Sequence, residues 1–144
     1  MARRIHPIAG TIGLLTILVF WISTAVSELF GSPATVAAVK QAIPWGFLWL
    51  VPALALAGAT GFRMAGASTD PLIARKKRRM PIIAANGVLV LLPSAFYLAW
   101  LSSQGEFGPL FYSVQAVELA CGAVNLALMS LNLRDGLRLA GRLA

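Results

Sequence analysis

Four long stretches almost free of charge decide what this chain can fold into. Residues 5–27, 41–62 and 80–105 hold no acidic side chain and no Lys or Arg, and residues 107–133 hold one, Glu118. Crossing a hydrocarbon core of about 30 Å takes roughly 20 apolar residues in a helix. At that depth every backbone polar group must be paired internally, which leaves helices or closed barrels. The alternation that marks barrel strands is absent. The sequence therefore predicts an all-α membrane protein with four transmembrane helices, at about 7–28, 43–66, 81–102 and 110–133. Composition agrees: of 144 residues, 58% are hydrophobic and 12% charged, against roughly 25% charged in soluble domains. That leaves room for one transmembrane domain, 1–144.

The charges set the orientation. Eleven of the twelve Lys and Arg residues fall at the N-terminus, between the second and third stretches, or at the C-terminus; Lys40 alone lies between the first and second. Loops rich in Lys and Arg stay in the cytoplasm. Both termini are thus expected to be cytoplasmic, with Lys40 in an external loop at 31–41. The first stretch is too long for a cleaved signal peptide and is expected to remain as a span. A net charge of +7 can indicate nucleic acid, but here the charge sits at membrane edges, so no nucleic-acid partner is expected. The run Arg75, Lys76, Lys77, Arg78 and Arg79 is expected to lie on anionic lipid headgroups. The single cysteine, Cys121, permits no internal disulfide.

The two halves resemble each other. An offset of 74 residues pairs Pro7 with Pro81, Gly13 with Gly87 and Gln41 with Gln115, and an offset of 75 pairs Gly61 with Gly136 and Arg63 with Arg138. This suggests two parallel two-helix repeats, 6–66 and 80–141, and an up-down-up-down four-helix bundle.

In the fourth stretch Gln115, Glu118, Gly122, Asn125, Met129 and Asn132 recur at intervals of three and four, a single helix face. Polar side chains avoid lipid, so this face is expected to point to the bundle interior or to a partner. Asn86 lies early in the third stretch. With Gln115, Asn125 and Asn132 it is expected to act as hydrogen-bonding glue between helices. Glu118 is a candidate functional carboxylate. With Lys40 assigned to a loop beyond its reach, it is expected to be a neutral hydrogen-bond donor. Glu28 is expected to be hydrated at the rim, Asp135 to pair with Arg134, Arg138 or Arg142 in solvent, and Leu128 to face lipid. Small residues at Ala9, Gly13, Ala57 and Gly61 predict close helix approach. Pro52 and Pro93 predict kinks. Trp45, Trp49, Tyr97, Trp100 and Tyr112 read as an interfacial belt.

His6, the only histidine, is a candidate cofactor ligand; Met64, Met80 and Met129 lie toward the same side, and Met64 is the candidate second axial ligand to haem b. Too few Cys and His residues exist for a zinc site. The segments HPIAGTIGLLT, IPWGFLWLVPAL, RMPIIAANGVLVLLP and VELACGAVNLALMSLNLRDGLR resemble small four-helix bacterial inner-membrane proteins. That resemblance implies the fold and location and carries no activity. In size and in its His-Pro start the chain is also similar to four-helix b-type cytochromes and haem-anchor subunits, which place haem at histidines; this chain has one. The expected function is a non-enzymatic subunit or accessory protein of a membrane complex, in contact with other membrane subunits or a second copy. The alternatives are an electron-transfer protein holding haem or quinone near His6, and a small transporter or proton-linked carrier using Glu118.

Overall fold

The computed structural model describes residues 2–143; the side chain of Arg3, one of the eleven basic residues counted above, lies outside the described residues. The chain is helical along nearly its whole length: α1 (Ala2–Phe30), α2 (Pro33–Ala65), α3 (Pro71–Asn86), a five-residue π-helical turn (Gly87–Leu91), α4 (Leu92–Ser103) and α5 (Pro109–Leu139). Because α3, the π turn and α4 are continuous, there are four helical runs, each long and apolar enough to cross a membrane.

Local chemistry sets the boundaries. Proline opens α2, α3 and α5, at the position where a missing N–H costs nothing and a fixed φ helps. Ser32 caps α2 by accepting from the Thr35 N–H, and Asp70 caps α3 by accepting from the Leu72 N–H at 2.7 Å. Gly66 ends α2 at φ 43°, a conformation open to residues without a Cβ.

The π turn has a cause in Pro93. A proline inside a helix clashes with the carbonyl four residues back, here that of Leu89. The turn just before it widens, with the Leu92 N–H donating to the Gly87 carbonyl five residues back. The kink expected at Pro93 thus takes the form of one extra residue in a turn.

The four runs pack in a ring: α1 touches α2 and α5, α2 touches α3 and α4, and α3, the π turn and α4 touch α5. Small residues set the closest approaches. A Cβ on Gly13 would lie 2.6 Å from Leu54 Cδ2, and one on Gly61 would lie 2.9 Å from His6 Cε1. Gly46 receives the ring of Phe20, and Gly122 that of Trp21. Two apolar clusters fill the interior: Ile17, Leu50, Ile83 and Met129 in the middle, and Val36, Leu98, Leu101 and Phe111 toward the end that carries the 104–108 connection. The outside is apolar as well, with Val19, Leu48, Trp45 and Leu89 among its exposed side chains. An apolar exterior on this scale belongs to a chain solvated by lipid.

Two expectations are corrected here. Lys40 is not in a loop: α2 starts at Pro33, so Lys40 lies in its second turn, and its side chain is fully buried. Leu128 does not face lipid; it packs against the middle cluster and is partly buried.

Candidate functional site

The polar face of α5 turns into the bundle and meets partners on α2 and α3. Gln115, Gly122, Asn125 and Met129 are buried, and the row continues to a fully buried Asp135. Nearest the 104–108 connection, Lys40 Nζ of α2 donates to Glu118 Oε2 of α5 and to Thr24 Oγ1 of α1, the latter at 3.4 Å. Three helices therefore converge on one ammonium group. This overturns the expectation that Lys40 lies out of reach of Glu118: a lysine in the second turn of α2 reaches inward, and its four methylenes are covered by the packed interior. Glu28, expected to be hydrated, is half-buried with its Oε1 shut off inside the protein. Gln115, one turn from Glu118, is buried with neither amide atom bonded.

Halfway along, Asn86 Nδ2 donates to Asn125 Oδ1 and to the Cys121 carbonyl, both at 2.9 Å, and Asn125 Nδ2 donates to the Ile83 carbonyl at 3.3 Å. At the other end Arg79 Nη1 donates to Asp135 Oδ2 at 2.7 Å and to Asn132 Oδ1 at 3.3 Å. Asp135 is thus not solvated at the rim, and its principal partner comes from the basic run on α3; Arg134 Nε is 3.7 Å away. The run itself divides. Arg75 and Arg78 are exposed, Lys77 donates to the Gly66 carbonyl at 2.7 Å, Arg79 points inward, and Lys76 is partly buried against Gly136.

Between Glu118 and Asn125 the polar row is interrupted at Gly122. There Trp21 packs against the glycine and donates from Nε1 to the Leu119 carbonyl at 2.9 Å. Beside this interruption opens a cavity of about 550 Å³, within the roughly 300–1,000 Å³ range of small-molecule sites. Its wall is apolar, built from α2 (Phe47, Leu54, Gly58), from α3 and the π turn (Met80, Ala84, Gly87, Val88) and from α1 and α5. Thr24, Glu118 and Asn125 are the polar aliphatic side chains on it. Its mouth lies between α2 and α3, where Ala55, Ala59, Ala84 and Val88 are exposed. The π turn contributes directly to this wall, and such turns concentrate at functional sites.

His6 stands apart. Its Nδ1 donates to the Ala57 carbonyl at 3.0 Å and is 3.2 Å from Thr60 Oγ1, with the ring against Gly61. Met64 is exposed, and neither residue lines the cavity. Met80, on the same side as His6 in the sequence reading, does line the cavity, and no group of three or more His, Cys, Asp or Glu side chains that could hold a metal occurs among the described residues. Asn86 bonds halfway along α5, Asn132 toward its far end and His6 on α2, so the three enter separate sets of contacts. Sequence reasoning missed the Lys40–Glu118–Thr24 convergence and the cavity. The one available signal was the isolated position of Lys40 opposite eleven other cations.

Compared with family models, with curated proteins and with solved structures, the chain matches none.

The amide pair makes a direct prediction. Asn125→Leu removes two interhelical hydrogen bonds, the one it accepts from Asn86 and the one it donates to the Ile83 carbonyl. Such bonds within membranes average about 0.6 kcal/mol and reach about 1.7 kcal/mol, so a loss of roughly 1 kcal/mol is expected by steric trapping in bicelles. Val124→Ala, on the exposed face of the same helix, will cost less. The reverse ranking would contradict the pairing.

Proposed function

We propose that this chain is a non-enzymatic accessory protein of a bacterial inner membrane that holds a lipid-soluble molecule in the cavity between α2 and α3. One observation carries the reading. The intramembrane polar side chains are largely committed to each other across helices, while a cavity of about 550 Å³ remains open beside them. A cavity walled by Leu, Phe and Val favours apolar guests, and its mouth on the lipid side suits a guest that arrives through the bilayer. A Cβ on Gly58 would meet only Met80 Cε, at 4.0 Å, so Gly58→Phe fills the cavity with little strain elsewhere. Protein purified in mild detergent is expected to release an apolar compound on solvent extraction, at near-stoichiometric yield, and the Gly58→Phe protein to release little. Equal yields from both would contradict the reading.

The same proposal includes an up-down-up-down course with both termini in the cytoplasm and two parallel hairpin repeats. Contact registers support it: along α1, His6, Gly13 and Thr24 meet Ala57, Leu54 and Lys40 of α2 in descending order. Along α3, Arg79 and Asn86 meet Asp135 and Asn125 of α5 in the same sense. Gly61 and Gly136, matched by the 75-residue offset, both lie against a nitrogen-bearing side chain of the preceding helical run, His6 and Lys76. A reporter fused to the C-terminus is expected to behave as cytoplasmic, and one inserted within 104–108 as exported. The opposite pattern would contradict this orientation.

One observation favours a second reading, a proton-linked carrier: Glu118, the carboxylate bonded to Lys40, stands on the cavity wall. That reading requires Glu118→Gln to abolish flux in proteoliposomes while leaving the guest bound.

A further inference from the structure

We infer that the cavity selects a lipid-soluble molecule with a terminal hydroxyl group, an alcohol or a phenol, whose hydroxyl docks between Glu118 and Thr24. This rests on the cavity being a binding place and adds which end of the guest goes where, and why.

The wall of the cavity is chemically lopsided. Most of it is Leu, Phe, Ala, Met and Gly, which offer nothing to a polar group. Of its polar side chains, Asn125 has its oxygen and its nitrogen both engaged, by Asn86 and by the Ile83 carbonyl. The indole N–H of Trp21 is taken by the Leu119 carbonyl. One amide hydrogen of Asn125 stays open as a donor alone; an open acceptor beside an open donor remains at one place. Glu118 gives Oε2 to Lys40, while its Oε1 accepts no hydrogen bond among the described residues; the side chain is 13% exposed and lines the cavity. Thr24 accepts from Lys40 through Oγ1 and so keeps its own hydroxyl hydrogen to give. Glu118 Oε2 and Thr24 Oγ1 are bonded to the same lysine nitrogen, which sets the carboxylate and the hydroxyl side by side on the cavity wall.

An open carboxylate oxygen and an open hydroxyl hydrogen make one acceptor and one donor side by side. A hydroxyl group answers both: it donates to Glu118 and accepts from Thr24. A ketone, ester or ether accepts only and leaves the carboxylate oxygen unmet. A carboxylate guest places a second negative charge beside Glu118. Lys40 is committed to the pair, so it holds no spare charge for an anion. The apolar remainder of the cavity, running past Trp21 and Gly122 to Met80 and the π turn, takes the hydrocarbon part. In a medium that supplies little competing water, this match discriminates strongly, because the alternative leaves a buried polar atom unsatisfied.

The test uses three photoreactive probes with the wild-type protein in lipid nanodiscs: a hexadecan-1-ol bearing a diazirine on its chain, its methyl ether, and the corresponding hexadecanoic acid. Adducts are mapped by mass spectrometry. The alcohol is expected to label cavity residues such as Met80 and Leu119 roughly tenfold more than the ether or the acid, the ratio that one hydrogen bond to a charged group supports. Glu118→Leu with Lys40→Met, which removes the acceptor oxygens without stranding a charge, is expected to reduce that ratio to near one. Gly58→Phe is expected to remove cavity labelling by all three. If alcohol and ether label the cavity equally in the wild type, the hydroxyl preference is wrong while the cavity remains a binding place. If the acid labels best, the site is an anion site and the inference is overturned. If none labels the cavity and Gly58→Phe changes nothing, the binding reading itself falls. The wild-type comparison among probes does not depend on any variant folding.

Discussion

Lys40→Met is expected to destabilise the folded protein by about 3–5 kcal/mol, the usual penalty for leaving one charge of a buried pair without its partner. Lys40 has no accessible side-chain surface, and Glu118 retains 13%. With the ammonium removed, the carboxylate loses the one side chain that donates to it inside an apolar bundle. Removing both charges is a different matter. Replacing a buried ion pair by apolar side chains of similar size is often neutral or better, so Lys40→Met combined with Glu118→Leu is expected to recover most of the loss. A double-mutant cycle read by steric trapping in bicelles gives the coupling directly. Losses that simply add would show that the two side chains do not depend on each other.

The second large effect is at the opposite end of α5. Arg79→Met is expected to cost about 3 kcal/mol, at the low end for a broken buried pair. Asp135 is fully buried and accepts from Arg79 at 2.7 Å, and the half-exposed Arg134 remains 3.7 Å away as a partial substitute. Arg78→Met, one residue earlier and exposed, is expected to change stability by less than about 0.5 kcal/mol. If the basic run served only to hold lipid headgroups, the two substitutions would behave alike. Thermal unfolding in one detergent, compared across the two variants, separates these cases.

These two sites also show where sequence reasoning reaches and where it stops. The helical runs were legible because absence of charge over roughly 20 residues has few physical explanations. The inward face of α5 was legible because Gln115, Asn125 and Asn132 keep one helical spacing. The partners of that face were not. A lone Lys40 beside a Gly-Ser-Pro segment looks like a loop residue by composition, yet Ser32 and Pro33 form a helix start, and the helix they begin carries Lys40 inside. Arg79 lies in a row of five cations, and nothing in the row marks which one turns inward; that depends on the phase of α3 against Asp135. The cavity was illegible for a further reason. It arises from the alanines and glycines of α2 facing a π turn, and Pro93 signals a distortion without saying that the turn will widen.

The ion pair inside the bundle is tested most directly by infrared spectroscopy of the protein in lipid at neutral pH, with the Glu118→Gln spectrum subtracted. An ionised carboxylate band that disappears in the Gln variant, and that gives way to a protonated-acid band in Lys40→Met, is the predicted result. A protonated-acid band at Glu118 in the wild type, unchanged when Lys40 is replaced, would contradict the pairing of Lys40 with Glu118.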